Sequence, residues 1–186
     1  SSPKLFITES IDETGFSQSL DYTHILHDEQ SPYQHIQVLQ GNPVYGKILV
    51  LDGVTQLTQG DASHYNEMMA HPALFSHVFP PKRVLLIGGG DGAVLYEILK
   101  HNTVVHVDHV DLDAAVVRAA QEHFAWGDAW KDDRVHLHIA DGAQFVQEAA
   151  SGSYDVVIQD SSDPWTWQNG QPVELPSNVL YQPTHL

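Results

Sequence analysis

The chain has 186 residues, enough for one domain with a small companion, and its 24 acidic side chains far outnumber its 8 Lys and Arg residues. The formal charge of -16 argues against a nucleic-acid partner, because phosphate binding needs basic patches, and suits a cationic ligand or simply a solvated acidic surface. The absence of cysteine excludes disulfides and thiolate metal sites, and no apolar run approaches the roughly 20 residues of a membrane helix.

The first third of the chain predicts a small antiparallel β domain over residues 1–60. Residues 1 to about 20 are polar and are expected to be irregular. The following residues are rich in β-branched and aromatic side chains and are punctuated by Gly, Pro and Asp, which is typical of a meander. The predicted strands are Tyr22–Leu26, Tyr33–Leu39, Lys47–Leu51 and Val54–Thr58. Helical apolar spacing then follows over 63–78, and Pro80-Pro81 closes that segment.

Residues 61–186 predict a second, α/β domain, because strand and helix patterns alternate regularly there. The predicted strands are 83–88, 104–110, 134–139 and 154–159, and the predicted helices are 91–101, 113–124 and 142–150. Such alternation favours a parallel sheet. Since the sequence stops soon after the fourth strand, we expect the C-terminal strands of this domain to be missing or to come from another chain.

A glycine turn follows the first strand of this second domain. Gly88, Gly90 and Ala93 form a G-x-G-x-x-A pattern, and the next strand ends in Asp111. This order is typical of the nucleotide-binding half of a Rossmann-like sheet, in which the acid accepts hydrogen bonds from a ribose. Asp91 lies inside the turn, where it would repel a phosphate and favour a cation. The pattern therefore predicts a nucleoside ligand with a positively charged tail.

Every predicted parallel strand is followed by an acid, and ligands of such sheets bind at that edge. These acids are Asp91, Asp111, Asp141 and Asp160. Capping of the next helix explains any one of them, and we assign Asp113 to that role. Four acids at one edge cost stability, which indicates a function that needs local negative charge. Asp160 and Asp163 lie three residues apart in one turn and could hold an ammonium group and accept its proton.

These motifs, taken together from about residue 16 onward, resemble the spermidine synthase family, the polyamine aminopropyltransferases. The matching stretches are Tyr33-Gln34, Val50-Leu-Asp-Gly-Val-Thr-Gln56, Tyr65-Asn-Glu-Met68, Gly88-Gly-Gly-Asp-Gly92, Val110-Asp-Leu-Asp113, Asp141-Gly142 and Asp160-Ser-Ser-Asp-Pro164. The resemblance implies a methyltransferase-type Rossmann-like fold. It also implies transfer of an aminopropyl group from decarboxylated S-adenosylmethionine to putrescine or a related polyamine.

The resemblance implies a donor site in which Asp91 holds the aminopropyl ammonium and Asp111, where the family usually has Glu, binds the ribose. Asp141 and Gly142 would bind the adenine, Gln34 would contact the donor, and Gly88 and Gly90 would let the backbone approach it.

On the acceptor side, the resemblance implies that Asp160 takes a proton from the attacking amine with help from Tyr65. Gln56, Asp163 and Tyr65 would position that amine. The sequence departs from the family after Pro164, where it reads Trp165-Thr-Trp167-Gln-Asn-Gly170, and this affects the acceptor side.

The same resemblance implies no metal and no cofactor besides the donor, which is a co-substrate. The expected partners are polyamine and nucleoside substrates, with no nucleic acid and no membrane, and a homo-oligomer or a partner chain. We expect a cytoplasmic location. Two alternatives remain open at this point: a methyltransferase that uses intact S-adenosylmethionine, and a non-catalytic structural subunit of a larger complex.

Overall fold

The computed structural model describes residues 5–11, 15–162, 165–168, 171–174 and 176–181. Its N-terminal part is a five-stranded antiparallel meander in which each strand pairs with the next along the chain. The strands are β1 (Leu5–Ile11), β2 (Phe16–Gln30), β3 (His35–Gly41), β4 (Lys47–Leu51) and β5 (Val54–Thr58). The predicted meander is confirmed, with β4 and β5 at the expected bounds.

The expectation of an irregular start was wrong, because β1 and the first half of β2 form a hairpin. Leu5 pairs with Tyr22, and the hydroxyls of Thr8 and Ser19 are 2.8 Å apart across the two strands. Phe6 and Phe16 are more than half exposed. Ile7 and Leu20 are only partly buried against the core of the meander, so the hairpin leaves a weak apolar pattern among its polar residues, and this concealed it.

A helix and a four-stranded parallel sheet follow the meander. The elements are α1 (Ala62–Phe75), β6 (Arg83–Gly88), α2 (Ala93–Leu99), β7 (His106–Asp111), α3 (Ala114–His123), β8 (Val135–Ile139), α4 (Gly142–Glu148) and β9 (Val156–Asp160). The strand order is β8-β7-β6-β9, and all neighbours are parallel. This confirms the predicted Rossmann-like sheet. The helix expected from residue 91 begins at Ala93, because the chain first passes through Gly92 at a φ of 78°.

Both faces of strand β6 are buried, which explains its uninterrupted apolar run. On one face Val84 and Leu86 pack with residues of α1 and α2. On the other face Leu85 and Ile87 pack with Ala143 of α4. Strand β6 is therefore packed on both faces, and the glycine turn follows directly at its carboxyl end.

The segment after β9 contains a short hairpin, although no further strand was expected there. Strands β10 (Trp165–Gln168) and β11 (Gln171–Glu174) pair with each other and form a separate sheet. A 3₁₀ helix follows over Pro176–Tyr181, and its Leu180 is buried beside Ile87. Within the described residues β9 pairs only with β6, and Val157 remains 55% exposed.

The longest α-helix of the described part is α1, with 14 residues. Among these helices none is both long and apolar enough to cross a membrane.

Candidate functional site

The glycine turn lies against the end of β9. Gly88 is the register partner of Asp160, and the Gly89 N–H donates a 2.7 Å hydrogen bond to the Asp160 carbonyl. Gly88 has a φ of 75°, and a Cβ there would lie 2.0 Å from that carbonyl oxygen. Only glycine permits this backbone and this approach. The turn and the Asp160 backbone thus form one unit.

Asp111 lies directly beside the same turn at the end of β7. A Cβ on Gly90 would lie 2.6 Å from Asp111 Oδ2, while Oδ1 accepts the Asp113 N–H at 2.8 Å. Burial, together with the Asp113 and Asp160 charges, raises the pKa of Asp111 to about 6, although hydrogen bonds from backbone N–H groups oppose the shift. The predicted ribose-binding acid therefore faces the turn where a ribose would approach.

Asp91 forms the far end of the turn and is the most strongly perturbed acid of the site. Its Oδ1 accepts the Ala93 N–H at 2.8 Å, and its carbonyl accepts the indole N–H of Trp126 at 2.7 Å. Burial raises the pKa of Asp91 to about 7, a value that includes an opposing hydrogen bond from the Ala93 N–H and smaller contributions from the charges of Asp160 and Asp111. A carboxylate held in this way gains from a cationic ligand, which would offset both burial and like-charge repulsion.

Asp160 is joined to Tyr65 of α1, whose hydroxyl donates a 2.9 Å hydrogen bond to Oδ1. Burial raises the pKa of Asp160, and the Tyr65 hydrogen bond opposes that rise. Asp160 Oδ2 turns toward the glycine turn, since a Cβ on Gly89 would lie 3.1 Å from it. One oxygen of this carboxylate is thus occupied by Tyr65, and the other faces the turn.

Two of the predicted acids cap helices. Asp113 was predicted as a cap, and its Oδ1 accepts the Ala115 N–H at 2.9 Å, which confirms that prediction. Asp141 is exposed, and its Oδ1 accepts the N–H groups of Ala143 and Gln144 at 2.8 and 3.1 Å. Capping therefore accounts for one oxygen of Asp141, and its role toward an adenine stays a prediction.

Gln34 reaches this edge of the sheet from the loop between β2 and β3. Its amide donates a 3.1 Å hydrogen bond to Asp113 Oδ2, which also accepts the Ser31 hydroxyl at 2.6 Å. The N-terminal sheet is thereby fixed to the chain just after Asp111, because Gln34 contacts Asp113, which follows the predicted ribose ligand by two residues.

The remaining predicted residues are less closely tied to the acids. Gln56 is exposed on β5, and its amide points back to the Val54 carbonyl at 3.5 Å. A Cβ on Gly142 would lie 2.5 Å from the Ile87 side chain, so this glycine permits α4 to pack closely on β6. Asp163 lies outside the described residues.

Sequence reasoning missed three aromatic side chains beneath the turn, namely His109, Trp126 and Trp130. Their contacts bring β7 together with the segment after α3, and no motif of the sequence marks that pairing. The run of valines and histidines in β7 predicts a buried strand but not the direction in which His109 points.

His27, Glu122 and His123 are the one group in the described part of the chain whose arrangement could hold a metal ion. Their possible ligand atoms lie within 4.8 Å of one another, between β2 and the end of α3. However, the Lys47 ammonium donates a hydrogen bond to the His123 carbonyl. This positive charge opposes a bound cation, so we assign no metal to the group.

Family models match both parts of the chain. The "Spermidine synthase tetramerisation domain" matches residues 5–59, and the "Spermine/spermidine synthase domain" matches residues 62–174. The polyamine aminopropyltransferase of Nitrosococcus oceani is 45% identical over 163 residues, which are 87% of this chain and 57% of that protein. Spermidine synthase 1 of Hyoscyamus niger is 47% identical over 153 residues, or 81% of this chain and 47% of that protein.

Two solved structures share the fold. A crystal structure of a spermidine synthase in complex with the transition state analogue AdoDATO matches 96% of this chain and 57% of that one, with a TM-score of 0.85 and 31% identity. The spermidine synthase from Thermotoga maritima matches 86% and 54%, with a TM-score of 0.79 and 34% identity. The chain thus spans about half the length of the relatives that it matches.

Proposed function

The chain belongs to the spermine/spermidine synthase family, and we propose that its protein transfers an aminopropyl group from decarboxylated S-adenosylmethionine to putrescine or a related polyamine. One observation carries the proposal: three partly buried acids, Asp91, Asp111 and Asp160, converge on one glycine turn, and their carboxyl pKa values are all raised. A site for a doubly cationic donor and a cationic acceptor would need this concentration of negative charge.

On the donor side, Asp91 receives the aminopropyl ammonium and Asp111 accepts hydrogen bonds from the ribose hydroxyls. Gly88 and Gly90 keep the turn open to the nucleoside. Asp141 with Gly142 is proposed for the adenine and Gln34 for the donor, in accordance with their positions at the same sheet edge. Support for a bound nucleoside comes from the similar spermidine synthase that was crystallised with AdoDATO.

The reaction needs a free amine, because a protonated amine has no lone pair with which to attack. Asp160 Oδ2 takes the amine proton while Tyr65 holds Oδ1. The amine nitrogen then bonds to the aminopropyl carbon next to sulfur, and the carbon–sulfur bond breaks. Its electron pair stays on sulfur, which neutralises the sulfonium and releases methylthioadenosine. Tyr65, Gln56 and Asp163 are proposed to position the acceptor.

Asp91 opposes the alternative that the protein is a methyltransferase using intact S-adenosylmethionine. The carboxylate of intact S-adenosylmethionine would approach the partly buried Asp91 carboxylate, and two like charges at close range are unfavourable. We therefore favour a donor without a carboxylate.

Product analysis tests the proposal. The full-length protein is incubated with decarboxylated S-adenosylmethionine and putrescine, and the products are identified by mass spectrometry. Spermidine and methylthioadenosine should appear in equal amounts. Asp133→Asn removes one exposed acid outside the site and serves as a charge-matched control that should retain the activity. Methylation of the amine with intact S-adenosylmethionine, without aminopropyl transfer, would contradict the proposal.

Three further points belong to the same proposal. Oligomerisation through residues 5–59 is supported by the tetramerisation-domain match, and we propose a homo-oligomer. A division into domains 1–60 and 61–186 is supported by the end of β5 at Thr58 and the start of α1 at Ala62. Catalysis without a metal or a further cofactor agrees with a sulfonium donor that is already activated. The expected cytoplasmic location stays a prediction.

A further inference from the structure

We propose that His109 and Trp130 are positioning residues that hold the Gly88–Gly92 turn, and with it Asp91, in the shape that receives the donor. Neither residue lies among the motifs that led to the proposed function. The inference rests on that function as far as the donor is concerned, while the support of the turn itself can be measured without any ligand.

The hydrogen bonds of His109 define which of its nitrogens bears the proton. The Trp130 indole N–H, which can only donate, lies 2.9 Å from His109 Nδ1, so Nδ1 is the acceptor. The proton is therefore on Nε2, which donates to the Gly88 carbonyl at 2.7 Å. His109 is completely buried, and burial lowers its pKa to about 4, so the ring stays neutral.

Trp130 supports the other end of the turn with its ring. The indole stacks on the His109 imidazole, with ring centroids 5.8 Å apart and planes 21° from parallel. A Cβ on Gly92 would lie 2.3 Å from the outer edge of the Trp130 ring. The Trp126 indole donates a hydrogen bond to the Asp91 carbonyl. Aromatic side chains therefore contact the turn at three places: His109 at Gly88, Trp126 at Asp91 and Trp130 at Gly92.

Filling the core does not require these polar groups. Val107 precedes His109 by two residues on the same strand and is equally buried without them. A buried imidazole costs stability unless both nitrogens are bonded. Here Nε2 donates to the Gly88 carbonyl of the turn, and Nδ1 accepts from Trp130, which fixes the ring that holds that carbonyl. The Gly88 carbonyl and the Gly89 N–H belong to the same peptide group, and this N–H donates to the Asp160 carbonyl. His109 and Trp130 therefore also orient the contact between the turn and the proposed base.

The test uses Trp130→Phe, which keeps a ring under Gly92 but removes the N–H, and His109→Phe, which removes both bonds. Val107→Ala is the matched control, because it also weakens the buried part of β7. In the unliganded wild type, imidazole ¹⁵N shifts should report one tautomer, protonated at Nε2, from pH 5 to pH 8. Trp130→Phe should add the second tautomer, and amide exchange at Gly89 and Gly92 should accelerate in both aromatic variants but not in the control.

The kinetic arm measures the donor and the acceptor separately in the full-length protein. Loss of one or two hydrogen bonds should raise the donor KM about 3- to 10-fold and leave the acceptor KM unchanged. Equal effects in Val107→Ala, or unchanged amide exchange in both aromatic variants, would overturn the positioning role. Absence of aminopropyl transfer in the wild type would refute the proposed function, and the ligand-free amide exchange would still decide whether the pair supports the turn.

Discussion

The Tyr65 hydroxyl lies 2.9 Å from Asp160 Oδ1, although the two residues are 95 positions apart in the chain. Tyr65 comes from α1, before the parallel sheet begins, and Asp160 is the last residue of β9. The contact leaves Oδ2 directed toward the glycine turn, where the reacting carbon of a donor would lie. Two distant segments thus meet at one carboxylate, which is the proposed proton acceptor.

Replacing Asp160 by Asn should lower turnover by about 10²- to 10⁴-fold, the usual range for loss of a general base. Asn keeps the shape and can still accept the Tyr65 hydrogen bond, so the donor should bind nearly as before. Steady-state kinetics and calorimetry with methylthioadenosine measure the two effects. Asp133→Asn is the control, and near-normal turnover in Asp160→Asn would show that this carboxylate is not the base.

Tyr65→Phe should shift the pH dependence of turnover as well as reduce it. The Tyr65 hydrogen bond opposes the rise in the pKa of Asp160, so its removal raises that pKa further. Because only the ionised carboxylate accepts a proton, the acidic limb of the kcat profile should move to higher pH. A profile of kcat from pH 5 to pH 9 for both proteins makes the comparison. An acidic limb at unchanged pH would show that Tyr65 does not influence the ionisation of Asp160.

Asp91→Asn should stabilise the unliganded protein at pH 8. Burial raises the pKa of Asp91 to about 7 from an ordinary 3.8, so between about pH 4 and pH 7 the unfolded state releases a proton that the folded state keeps, and folding stability falls to its lower value above pH 7. A shift of this size corresponds to about 4 kcal/mol. The gain should shrink as the pH falls through 7 and vanish near pH 4, where Asp91 is protonated in both the folded and unfolded states. Urea unfolding at pH 8 and pH 4 tests this, and an equal gain at both values would contradict it.

Donor binding should depend on pH through the ionisation of Asp91. A cationic tail binds the ionised form of Asp91, so below pH 7 the affinity for decarboxylated S-adenosylmethionine should fall by up to about tenfold per pH unit. Methylthioadenosine has no ammonium tail and is the matched control ligand, whose affinity should change much less. Calorimetry from pH 5.5 to pH 8.5 measures both. Parallel pH dependences for the two ligands would contradict a contact between the tail and Asp91.

The parallel sheet could be predicted from sequence because its inner strands β6 and β7 are buried on both faces and its strands end in recognisable turns. The β1–β2 hairpin could not be predicted, since few of its apolar side chains are buried and polar residues such as Thr8 and Ser19 interrupt them. Asp141 illustrates a different limit, because capping and ligand binding favour the same residue at the same place. The positions of His109 and Trp130 depend on how α3 and the following segment pack against β7, which local patterns do not specify.

The most direct test of the account is the order of donor affinities in the wild type and in Asp91→Asn, measured by calorimetry at pH 8 on the same protein. The wild type should bind decarboxylated S-adenosylmethionine more tightly than intact S-adenosylmethionine, because the partly buried Asp91 carboxylate attracts the ammonium of the first and repels the carboxylate of the second. Asp91→Asn should remove most of that preference. Tighter binding of intact S-adenosylmethionine by the wild type would contradict an aminopropyl-donor site.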